Sequence, residues 1–149
     1  MTKIISAIYV IMLTLNIAQA GSPNKHNAAT LTYKNIIVPE APPVASVMVA
    51  YMKITNSSNK KQTIKHIHSP QFKRVEIHKM SMANGMMNME QLASLSIKAK
   101  QSIELEPGGL HLMLIKPIKP LKDKNNVELT FELLSGELTT VNTQVKRIE

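Results

Sequence analysis

Residues 78–91 read HKMSMANGMMNMEQ, and residues 106–114 read EPGGLHLML. Asn84-Gly85 is the strongest hairpin signal in the chain, because both residues tolerate the positive φ of a type I′ turn. With those two in the turn, Met82 faces Met87, Met80 faces Met89, Lys79 faces Glu90 and Ile77 faces Leu92. The opposite charges and the apolar pair both suit this register. One face of the hairpin then carries His78, Met80, Met82, Met87 and Met89, with His78 diagonal to Met89. A longer loop would shift the pairing. In the second stretch, alternation puts Leu110, Leu112 and Leu114 on the core face. His111 and Met113 project together from the opposite side, close enough for an imidazole and a thioether to meet on one ion.

The same period of two extends outward along the chain. Strands are predicted at Leu31–Val38, Val44–Ile54, Thr63–His68 and Phe72–Met80. Further strands are predicted near Met86–Ile97 and at Ser102–Leu105, Leu110–Lys116, Val127–Leu134 and Leu138–Val145. Pro39-Glu40-Ala41-Pro42-Pro43, Asn56-Ser57-Ser58-Asn59, Ser69-Pro70 and Pro107-Gly108-Gly109 punctuate them. No stretch has helical periodicity and no segment repeats. Eight or nine short strands with turns at this spacing predict an all-β sandwich with Greek-key connections.

The 149 residues suit one domain. Aromatics are only 3% and Trp is absent, so the core must come from Val, Ile, Leu and Met. The formal charge is +8, but the lysines are scattered and no aromatics interleave them for base stacking. Nucleic acid is therefore not an expected partner. Lys3, the apolar run Ile4–Ile17 and Ala18-Gln19-Ala20 form a cleavable signal peptide over residues 1–20. The run is short of the roughly 20 residues that a spanning helix needs, so no stable membrane insertion is expected after cleavage, with an uncleaved anchor as the alternative. A loose leader over 21–30, containing His26, precedes a domain over 31–149. With no cysteine in the chain, disulfides, a lipid-modified cysteine and a blue-copper centre are all excluded.

Five of the eight methionines beyond residue 20 lie between Met80 and Met89. Thioethers are soft and uncharged, which suits Cu(I) far better than Mg²⁺, Ca²⁺ or Mn²⁺, and methionine is a poor Zn²⁺ ligand. Methionine also fills core gaps and builds adaptable partner surfaces. Neither use accounts for histidines on the same non-core faces.

The spacing of His78, Met89, His111 and Met113 resembles the H-x10-M-x21-H-x-M signature of the periplasmic copper chaperone (PCuAC) family. Ala50-Tyr51-Met52 with Asn56, Glu76, Asn84-Gly85 and Glu106-Pro107-Gly108-Gly109 also match, and the resemblance runs from Ile36 to Val145. It implies a cupredoxin-like Greek-key sandwich holding one Cu(I) through His78, Met89, His111 and Met113. It further implies a periplasmic chaperone that hands copper to a membrane oxidase subunit, at the binuclear copper site of cytochrome c oxidase, or to another periplasmic carrier. Copper sequestration and a metal-free interaction module are the rival readings. Two features depart from the family: Tyr33 stands near where many members have Trp, and no His/Met-rich tail follows Val145. Met80 and Met82 are read as packing residues, and His66-x-His68 as a polar strand edge. No catalytic constellation occurs, and Asp123 is the only aspartate, so a monomeric non-enzyme is expected. Its basic surface suits docking on acidic acceptor domains.

Overall fold

The computed structural model describes residues 30–83 and 85–148. The signal peptide and all of the leader except Thr30 lie outside the described residues. Ten strands occur among the described residues, with no helix. They are β1 (Leu31–Pro39), β2 (Val47–Asn56), β3 (Gln62–His68), β4 (Phe72–Ala83) and β5 (Met86–Leu92). After these come β6 (Leu95–Ile97), β7 (Ser102–Leu105), β8 (Leu110–Pro117), β9 (Asn126–Leu133) and β10 (Leu138–Lys146). The predicted strand near Met86–Ile97 is two strands. Both Leu95 and Ile97 turn inward to the core, whereas Met86–Gln91 stay exposed, and Ala93-Ser94 separates the two environments.

Hydrogen bonding links the strands in the order β5-β4-β8-β2-β1-β10-β9-β3-β6, with β7 also on β2. One half, β5-β4-β8-β2, joins the other, β10-β9-β3-β6, through β1. β1 runs antiparallel to β2 and parallel to β10, where Val38 pairs with Val145. The neighbours β2 with β8, β1 with β10 and β3 with β9 are distant in sequence, which gives the Greek-key crossovers of an open β-sandwich. This is the expected all-β, cupredoxin-like class.

Alternation builds the core. Met48, Ala50, Met52 and Ile54 of β2 point inward, as do Val127, Leu129, Phe131 and Leu133 of β9. Leu112 and Leu114 complete the layer beneath β8 and are fully buried. Tyr33 stacks on Phe131 with ring centroids 4.2 Å apart. Asn56 is the buried polar exception. Its amide nitrogen donates to the carbonyls of Lys60, Ile97 and Lys98, and its oxygen accepts from the Ser58 amide and hydroxyl. That network ties the end of β2 to the end of β6.

Candidate metal centre

β4 lies between β5 and β8, so its outward face is flanked on both sides. The β4–β5 register is the predicted one. Ile77 pairs with Leu92, Lys79 with Glu90, Met80 with Met89 and Met82 with Met87. Ala83 pairs with Met86, which leaves two residues for the turn, and Gly85 takes the positive φ of 75° that such a turn needs. On the other flank, His78 pairs with His111 and Glu76 with Met113. His78 is therefore central. His111 stands directly across on β8, Met113 follows two residues on, and Met89 lies diagonally across on β5. Adjacent strands are about 4.8 Å apart, so the four side chains share one patch spanning three strands.

Backbone geometry delivers β8 to this patch. Glu106-Pro107-Gly108-Gly109 forms a turn in which Gly109 N–H donates to the Glu106 carbonyl at 3.1 Å, and Gly108 has φ 79°. Proline followed by a glycine of positive φ is a type II turn. The Gly109 carbonyl then accepts from the Met80 amide at 3.0 Å and from His111 Nδ1 at 3.2 Å. With Nδ1 donating, the His111 Nε2 lone pair is left free.

The ring of His78 is oriented the opposite way. Its Nε2–H donates to Glu76 Oε2 at 2.9 Å, while Arg74 Nε bonds Glu76 Oε1 at 2.7 Å. The hydrogen bond from His78, reinforced by Arg74, holds the Glu76 carboxyl below the usual carboxylate range. His78 Nδ1 remains as a buried lone pair with no partner. Buried polar atoms are seldom left so, and an imidazole anchored through one nitrogen to a carboxylate is the usual state of a metal ligand. The two ring centroids are 6.0 Å apart. Two imidazoles on one ion, with bonds of about 2 Å, would have centroids about 5–6 Å apart.

Exposure differs among the four. His111 is only 4% exposed, His78 is largely covered, Met113 is half-buried and Met89 is 49% exposed. The burial of His111 differs from the projecting imidazole expected from alternation. Alternation fixes which side of the strand a residue occupies, while cover depends on the neighbouring strands. Among the described residues no three His, Asp or Glu side chains form a metal-holding group. A metal on this face would therefore draw on thioethers. Met82 corrects the packing expectation: it is 68% exposed, because β4 and β5 run beyond the core at that end. His66 and His68 are exposed, as expected of a polar face. A β-bulge between Ile64 and His66 turns both histidines outward, and His68 lies 3.7 Å from Glu132. The Arg74–Glu76 support of His78 had a signal in the sequence: positions 74, 76 and 78 alternate onto one face.

The architecture is that of PCuAC domains. The copper-bound PCuAC domain from PmoF2 superposes with a TM-score of 0.67 at 15% identity, covering 80% of this chain and 94% of that one. DR1885 of Deinococcus radiodurans in its Cu(I) form is 26% identical, with a TM-score of 0.64, covering 84% of this chain and 85% of that one. Its apo form is 25% identical over 99% of this chain and 97% of that one, with a TM-score of 0.62. No curated protein sequence matches the chain. Residues 31–145 match the family described as lipoprotein LpqE-like, and the chain belongs to that family.

Proposed function

We propose that this protein is an exported copper chaperone that carries one Cu(I) as cargo on His78, Met89, His111 and Met113. The observation that carries the reading is the unpartnered, buried Nδ1 of His78. It lies on the strand face that His111, Met113 and Met89 share. The likeness to DR1885, solved with Cu(I), supports the choice of ion, and two thioethers with two neutral imidazoles suit its softness. In this reading the protein's own groups divide the work. Glu76 and the Gly109 carbonyl lock the two imidazoles, His111 and Met113 form the enclosed side, and Met89 is the ligand that an acceptor reaches first. Release proceeds by ligand exchange, in which an acceptor's donor replaces Met89 before the histidines let go. The signal-like N-terminus and the lipoprotein description of the family support export to the periplasm. The acceptor we infer is the binuclear copper site of cytochrome c oxidase, on the strength of the family resemblance.

A Cu(I) competition titration of the purified protein against a chromophoric chelator tests the site. One tight equivalent is expected, clearly weakened in His111→Ala and in Met113→Ala. Glu76→Gln keeps the bulk but loses the charge that orients His78, and should weaken binding by about 10–100-fold. Binding no stronger than that of an unrelated β-sandwich would end the chaperone reading.

A further inference from the structure

The hairpin carries more thioethers than a four-ligand site uses. Met82 pairs directly with Met87, one step further from the core than the Met80–Met89 pair, and on the same face as His78. Opposed Cβ atoms there lie about 4.5–5.5 Å apart, so two methionine side chains can close on one small ion. Packing does not account for this pair. Met82 and Met87 are each 68% exposed, and β5 is an outer strand exposed from Met86 to Gln91. Soluble proteins usually blunt such edges with charge rather than lining them with large apolar side chains. Met80 is half-buried between this pair and His78, and it faces Met89.

We propose that Met82 and Met87, joined by Met80, form a second and weaker thioether site for a soft monovalent ion, through which Cu(I) reaches and leaves the inner four residues. The proposal rests on the copper-carrier reading above. Same-face residues two apart on a strand are separated by about 6.5–7 Å at Cα, a gap that long, unbranched methionine side chains can span. Met80 serves as the shared ligand: with Met82 and Met87 it holds the outer ion, and with Met89 it meets the inner set. Each step forms one S–Cu bond as another breaks. The ion stays Cu(I) and no proton moves. A site made only of thioethers rejects Zn²⁺ and Mg²⁺, which prefer nitrogen, thiolate or oxygen. It therefore filters the ion before the histidines meet it.

Silver(I), a redox-inert ion of the same charge and softness, is titrated into the purified protein carrying ¹³C-methyl methionine and followed by methyl NMR. The first equivalent should move the methyls of Met89 and Met113, and the second those of Met80, Met82 and Met87. The double substitution Met82→Leu, Met87→Leu keeps the apolar surface and removes only the sulfurs. It should lose the second equivalent, keep the first, and slow Cu(I) transfer to a chelator. A second equivalent that leaves the three hairpin methyls unmoved, or an unchanged transfer rate in the leucine variant, overturns the inference and assigns these side chains to docking on a protein. Movement of Met82 and Met87 without Met89 and Met113 would instead refute the four-residue site while upholding the outer one. No movement at any of the five refutes both.

Discussion

Two buried side-chain atoms among the described residues have no hydrogen-bond partner, His78 Nδ1 and Tyr33 Oη, and their surroundings give them opposite meanings. His78 has its other nitrogen fixed by Glu76 and its ring 6.0 Å from a second imidazole, so its free lone pair faces a use. Tyr33 is half-buried, packed against the core by stacking on Phe131, with no donor or acceptor bonded to its hydroxyl. Burial, and secondarily the charge of Glu137, raise the Tyr33 phenol far above its ordinary value. The native state thus holds the phenolic proton more tightly than the unfolded chain does. Stability from this source is complete below about pH 10 and falls as pH rises past the unfolded phenol's value. Tyr33→Phe keeps the stacking and removes the orphaned hydroxyl. Thermal unfolding at neutral pH should be unchanged or improved by up to about 1 kcal/mol, and the decline above pH 10 should flatten. A destabilised variant would mean that the hydroxyl does have a partner.

At the scale of elements, the hairpin of β4 and β5 is the part whose sequence and structure agree most closely. The turn fixes the register, and the register fixes which methionines share the face of His78. Because β5 pairs with β4 alone among the described residues, little else there holds it in place. A Cβ at Gly85 would meet no atom within 4 Å, so the cost of Gly85→Ala is conformational, at about 1–2 kcal/mol for the positive φ. That strain should loosen the hairpin and leave the core intact. Amide exchange should speed up in Met86–Gln91, and Cu(I) affinity should fall through Met89, with little change in the global melting temperature. Equal loss of protection in β9 would show that the hairpin and the core unfold together. The β3 bulge was not legible in the sequence. Ile64 and Ile67 both point inward three residues apart, and strict alternation cannot accommodate them.

For the whole molecule, the fully buried side chain of Asn56 links the two halves: two of its five hydrogen bonds reach the Ile97 and Lys98 carbonyls at the end of β6, and the other three, with Ser58 and Lys60, hold the β2–β3 turn. Asn56→Ala would take the side-chain donor from the Ile97 carbonyl and the acceptor from the Ser58 amide, while Gln101 N–H still reaches the Lys98 carbonyl and the Ser58 hydroxyl the Lys60 carbonyl, at a cost of about 1–3 kcal/mol. Urea unfolding should show this as a lowered midpoint. First-equivalent Cu(I) binding to the folded fraction should be kept, because Asn56 lies at the opposite end of β2 from Val49, which pairs with Met113. A loss below about 1 kcal/mol would mean that water substitutes for the amide.

The sequence by itself determined the strand period, the hairpin register and the side of β4, β5 and β8 on which His78, His111 and the methionines lie. These follow from local rules: alternation along a strand, and a two-residue turn that permits one pairing. Only the tertiary structure decided how each candidate is covered. It buried His111, left Met89 and Met82 in solvent, and made Asn56 the clasp between the halves. Those outcomes depend on which strands are neighbours across the sheet, and β4 with β8 or β2 with β8 are partners far apart in the chain. Local periodicity assigns a face, and the packing of distant strands decides what that face meets.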